Sequence, residues 1–140
     1  MNTKQEFLRL MNTHNEIALA TCVNNQPNIR IVNFYYDENS KVVFFSTFGD
    51  NEKVKEFEIN NKVAFTTVPH DGIEHVKTKG IVRKSTKTVF DVAEDFIKKI
   101  PDYKDTIEQA GEYLLLFEIT FETAVVTLDF ENIEILNLND

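Results

Sequence analysis

Three strand-like runs, IALATCV (17–23), IRIVNFYY (29–36) and KVVFFSTF (41–48), follow one another across the short links NNQPN and DENS. Links of that length, rich in turn formers, join antiparallel neighbours, because a parallel crossover needs a dozen residues or more. The three runs are therefore expected as an antiparallel meander. Five more follow: KVAFTTV (62–68), IEHVKTKGIVRK (73–84), YLLLFEITF (113–121), TAVVTLD (123–129) and IEILNL (133–138). Stretches such as VVFF and YLLLF are apolar on both sides of the strand alternation, which suits a sheet curled onto itself or covered by a second subunit. The pattern predicts a mainly β chain, an antiparallel barrel of six to eight strands with short flanking helices.

The helical signals are few and peripheral. Thr3-Lys4-Gln5-Glu6 has capping-box spacing, and Phe7, Leu8 and Met11 give one apolar side to a helix over about 3–13. A second helix, over about 51–60, opens behind Asp50 or Asn51 as cap. Val89, Phe90, Ala93, Phe96, Ile97 and Ile100 recur at helical spacing before Pro101, and DYKDTIEQAG (102–111) reads as one more helical piece stopped by Gly111. Gly80, inside the longest strand run, marks a bulge or a close backbone approach.

At 140 residues with no linker, repeat or low-complexity stretch, the chain is expected as one domain, 1–140. Its net charge of −8 argues against nucleic acid as a partner and requires any anion to be held by a few placed cations. Cys22 is the only cysteine, so no intrachain disulfide can form. The polar N-terminus is no signal peptide and no run is long enough to cross a bilayer; a cytoplasmic protein with no membrane partner is the expectation.

One junction carries chemistry beyond folding. FFSTFGDNEKVKEF (44–57) ends a strand in Ser46 and Thr47 and opens a helix with Asn51 and Lys53. Hydroxyls, helix-start N–H groups and a lysine are the parts of a phosphate site, and they are also the ordinary currency of a turn and cap. Arg30, among Ile29, Ile31 and Val32, alternates onto the face of Val32 and Phe34, as a snorkelling side chain, an ion-pair partner or a second cation for the same anion. His70 and His75 flank DGIE without a standard zinc spacing, so no metal is expected. His75, Lys77 and Lys79 share a strand face that is either solvated or a wall for a ligand. Cys22 reads as a buried apolar residue, and no nucleophile elbow, P-loop or dinucleotide fingerprint is present.

In order and spacing, IALATCVNNQPNIRIVNFYY, KVVFFSTFGDNEKVKEFEINNKVAF and HVKTKG resemble the pyridoxamine 5′-phosphate oxidase-like family of FMN-binding split barrels, over roughly residues 3–85. The resemblance implies a split β-barrel that binds FMN. The phosphate would be held by Arg30 with Ile31 and Val32, by Ser46 and Thr47, and by Lys53 behind Asn51. Backbone around Asn33 and Phe45 would border the isoalloxazine ring, and His75 would stand where a ring-contacting glutamine is frequent. It also implies a homodimer with flavin sites at the subunit interface, and an oxidoreductase passing hydride or electrons to a small-molecule substrate. A non-catalytic flavin- or haem-binding protein is the alternative on the same barrel. Two departures stand out. No Arg or His follows Arg83, so the grip on a substrate phosphate seen in the full oxidases has no counterpart here, and Glu52 stands where a basic residue often precedes the lysine. No residue is singled out as a catalytic acid or base.

Overall fold

The structure, a computed structural model, describes residues 1–139. Nine strands form one antiparallel sheet flanked by four helices: α1 (Thr3–Thr13), β1 (Glu16–Val23), β2 (Gln26–Asn33), β3 (Tyr35–Asp37), β4 (Val42–Phe48), α2 (Glu52–Ile59), β5 (Lys62–Thr67), β6 (His75–Lys84), α3 (Ala93–Lys99), α4 (Tyr103–Ala110), β7 (Leu114–Thr120), β8 (Thr123–Thr127) and β9 (Ile133–Asn137). The strand path runs β2-β1-β5-β6-β7-β4-β3, with β8 pairing to β6 and β9 to β8.

Eight expected runs become nine strands because 29–36 breaks at Phe34. The meander is correspondingly interrupted: β2 pairs only with β1, and β3 only with β4. The two ends of the strand path are thus joined by one residue. Phe34 is wholly buried, donates its N–H to the Asn15 carbonyl at 3.1 Å and accepts from Lys99 Nζ at 2.9 Å, so both peptide groups freed by the break are satisfied. Among the described residues, the β3 side of β4 beyond Phe44 has no ladder partner, and neither has the outer edge of β2. The barrel is split along that line.

The short link NNQPN contracts to the two-residue turn Asn24-Asn25, with φ of 53° and 64°, the left-handed pair that matches strand twist in a tight hairpin. Pro27 then falls inside β2, where it is tolerated on an edge strand. The cap of α1 is Asn2, whose Oδ1 accepts from the Gln5 N–H, while the Thr3 hydroxyl turns instead to Glu134. The third helix is shorter than its apolar spacing suggests. Val89 is buried in a turn before it and Phe90 is exposed. Gly111 does not stop α4 by left-handed geometry; it opens a single 3-10 turn and leaves room for the Phe90 ring, which a Cβ would meet at 2.8 Å.

Two cores lie on opposite sides of β4 and β7. Inside the barrel, Phe45 stacks on Phe117 and meets Phe57 edge-on, with Ile17, Leu19 and Val43 around them. On the outer side, α3 and α4 cover Val42, Phe44 and Leu116 with Phe96, Ile100 and Tyr103. Gly80 sits where β6 crosses from β5 to β7, and a Cβ there would stand 2.5 Å from the Thr120 carbonyl oxygen. Gly80→Ala should therefore cost about 1–3 kcal/mol, read as a lowered denaturation midpoint with an unchanged slope.

Lys99 ties α3 to the strand break, its ammonium also 3.5 Å from the Phe34 ring centroid. Burial pulls its pKa from 10.5 down to about 7. The unfolded chain then holds a proton that the folded one has released, so stability from this residue rises with pH between about 7 and 10.5 and is lost as pH falls through 7. Its slope should approach about 1.4 kcal/mol per pH unit and vanish from the urea-unfolding profile of Lys99→Met.

Candidate functional site

The cations of the site come from two elements on either side of the split. On β2, alternation turns Arg30 and Val32 inward and leaves Ile29, Ile31 and Asn33 exposed. On α2, Asn51 caps the helix by accepting the Lys53 N–H at 3.1 Å, which fixes the first turn and aims Lys53 under the sheet. Lys53 is 8% exposed, and its ammonium donates to Thr47 Oγ1 at 2.7 Å. Burial first, and the Arg30 charge second, push its pKa down. No carboxylate pairs with it among the described residues. A buried ammonium held by one hydroxyl beside a second cation is short of an anion.

Arg30 is not free in the same sense. Its Nη1 donates to Thr21 Oγ1 at 2.8 Å and its Nη2 to Glu56 Oε1 at 2.5 Å, with both side chains of the ion pair largely buried. Glu56 is the residue that inspection of the junction missed. It lies three beyond Lys53 and so shares its helix face, which is the signal that could have found it.

Thr47 and Ser46 do not converge. Thr47 faces the barrel interior with Val43 and Phe45, whereas Ser46 turns to the outer core and hydrogen-bonds the Tyr103 hydroxyl. The expectation that both hydroxyls address one point is corrected here by strand alternation alone. Phe45 places its ring at the centre of the core, so only its backbone reaches the split. Glu52 is exposed and makes no ion pair with either cation. His75 sits apart on β6, paired with Thr127, its Nδ1 against the Ile73 carbonyl at 2.6 Å; His70 stands edge-on to His14 instead. The structure therefore brings together Arg30, Thr47, Lys53 and the Asn51 cap, and leaves Ile31, Asn33, Ser46 and His75 outside that cluster.

A broad hollow lies elsewhere. It measures about 880 Å³ and lies on the outward face of the sheet, between Ala20, Ala64, Lys79 and Thr123, continuing into a second of about 560 Å³ over Ala18, Ile29 and Val125. That face carries a continuous cross-strand row, Ile31–Ala18–Thr66–Lys77–Val125–Ile135, in which small side chains make the hollow and exposed Ile31 and Ile135 make its ends. The Arg30–Lys53 cluster and the outward face, where Lys77 and Lys79 stand among small and apolar residues, lie on the two sides of the sheet at β2.

Residues 10–133 match the family described as pyridoxamine 5′-phosphate oxidase-like, and the chain belongs to that family. No curated protein sequence matches it. Among solved structures it is similar to General Stress Protein 26 of Bacillus anthracis, at 14% identity over 98% of this chain and 99% of that one, with a TM-score of 0.76. A heme binding protein of Mycobacterium smegmatis superposes with a TM-score of 0.78 at 10% identity, over 99% of this chain, which spans 59% of that protein. An FAD-binding protein of Mesorhizobium loti gives 0.65 at 12% identity, covering 86% of this chain and 89% of that one. At these identities the likeness is one of fold: the split barrel.

Lys53→Met keeps the stem and removes the unpaired ammonium. Calorimetry of the ligand-free protein should show it more stable by about 1–3 kcal/mol, because relief of a buried charge with no carboxylate partner outweighs the lost hydrogen bond to Thr47.

Proposed function

We propose that the chain is an FMN-binding oxidoreductase that passes hydride or electrons to a small molecule and works as a homodimer. The observation that carries this is Lys53: a buried ammonium with no carboxylate partner among the described residues, set beside Arg30 at the split. The donor set fits the phosphate of a flavin nucleotide, since Lys53, Thr47 and Arg30 are all donors and one charged hydrogen bond contributes about 1.5–3 kcal/mol. Bound there, the flavin would supply the two-electron chemistry. The chain's own residues would neutralise the phosphate, offer the unpaired backbone edge of Phe45–Thr47 to the ring, and exclude water beneath the sheet.

The homodimer rests on the outward sheet face. A row of apolar and small side chains interrupted by one lysine, Lys77, runs across six strands and ends in isoleucines 59% and 72% exposed, a surface that a second copy would cover, bringing its own residues to the ring. A second reading, a split barrel that binds flavin or haem without turnover, draws on His75. Its Nε2 has no hydrogen-bond partner among the described residues. A protein similar in fold binds haem.

The purified protein, mixed with FMN and freed of excess, should retain about one FMN per chain by its visible spectrum. Arg30→Ala with Lys53→Ala should lose it while the far-ultraviolet circular dichroism stays unchanged; unaltered FMN affinity in the double variant defeats the assignment. Reduction of the bound flavin by NADH or NADPH favours the enzyme, and a Soret band with haem but no flavin retention favours the second reading. Ile31→Lys should shift the sedimentation coefficient from dimer to monomer.

A further inference from the structure

Glu56 is more than a salt-bridge partner. Its Oε1 accepts from Arg30 Nη2 at 2.5 Å and from Asn28 Nδ2 at 3.3 Å, and its Oε2 accepts from the Thr21 hydroxyl at 3.0 Å. Three donors from two strands converge on one carboxylate, as they would on a phosphate. The side chain is 12% exposed and rises from the same face of α2 as Lys53, one turn on. Yet the carboxylate makes no bond to Lys53, whose ammonium is left to Thr47.

On the reading that this site takes the FMN phosphate, we infer that Glu56 is a built-in competitor for that phosphate and sets the site's selectivity by anion charge. The carboxylate holds one arm of the Arg30 fork and Thr21 the other, so an incoming phosphate gains Lys53 at once but gains Arg30 only by displacing Glu56 or Thr21 or by sharing the guanidinium with them. Two cations and one carboxylate leave the cluster with a net charge of +1, against the roughly −1.5 to −2 of a phosphate monoester at neutral pH. Like-charge repulsion then acts on the phosphate end of the ligand and not on the neutral ring. FMN is penalised relative to riboflavin by comparison with a site holding Arg30 and Lys53 alone. A neutral amide of the same shape would lift that penalty and keep one acceptor oxygen, for Asn28 and Arg30, with its NH2 group turned to the Thr21 hydroxyl.

The test is FMN and riboflavin titration of the full-length protein by flavin fluorescence, in wild type, Glu56→Gln and Arg30→Ala. Glu56→Gln is expected to tighten FMN about tenfold or more and to leave riboflavin unchanged. Glu56→Asp, which withdraws the carboxylate by one methylene, is expected to fall between the two and serves if the amide variant does not fold. Inorganic phosphate should raise the melting temperature of Glu56→Gln more than that of wild type. If Arg30→Ala weakens FMN but Glu56→Gln leaves it equal or weaker, Glu56 merely positions Arg30; the inference fails and the phosphate site stands. Parallel tightening of FMN and riboflavin also overturns it. If neither wild type nor Glu56→Gln binds FMN, the underlying reading falls and takes the inference with it.

Discussion

Everything at the split depends on how Phe34 is held. A single apolar run leaves one ladder and enters another at this residue, and a buried break exposes a donor and an acceptor that must find partners away from any strand. Asn15 takes the donor and Lys99 satisfies the acceptor, so a loop and a helix do locally what a ladder does elsewhere. With that junction fixed, β2 stays on β1 and β3 on β4, and a gap opens between β2 and the far end of β4. Arg30 borders it from one side, Thr47 and Lys53 from the other. The cost of the arrangement is a lysine burying its charge, a cost that falls as the medium becomes alkaline.

Charge placement follows from the same geometry. A strongly acidic chain can hold an anion only where local cations outnumber local carboxylates, and only one cation in the cluster escapes neutralisation. Asn51 contributes by its cap: by fixing the start of α2, it decides that Lys53 points inward and that Glu52 points out. The carboxylate next to Lys53 in sequence is therefore exposed, while the one that pairs with Arg30 lies a turn further on.

Much of the fold was legible because alternation and link length are local properties. The strand runs, the helix over Thr3–Thr13 and the close approach at Gly80 all follow from residues within a few positions of one another. What could not be read depended on partners distant in sequence. The break at Phe34 needs Asn15 and Lys99. The parting of Ser46 from Thr47 was implicit in the strand period, yet a hydroxyl pair invites reading as a unit. The Arg30–Glu56 pair spans 26 residues, and nothing around Arg30 announces which of 23 acidic residues it meets. Asn24-Asn25 was legible as a turn but not as so tight a one, because the proline after it looked like part of the loop.

The opposed hydroxyls of Ser46 and Thr47 have a mechanical consequence. One peptide unit separates a side chain tied to Tyr103 on α4 from a side chain tied to Lys53 on α2, and the two helices otherwise rest on different cores. The first turns of the two helices are thus connected through a single strand end. Because Tyr103 is itself packed in the outer core, the position of α4 and that of the ammonium on the opposite face share one strand end as their common support.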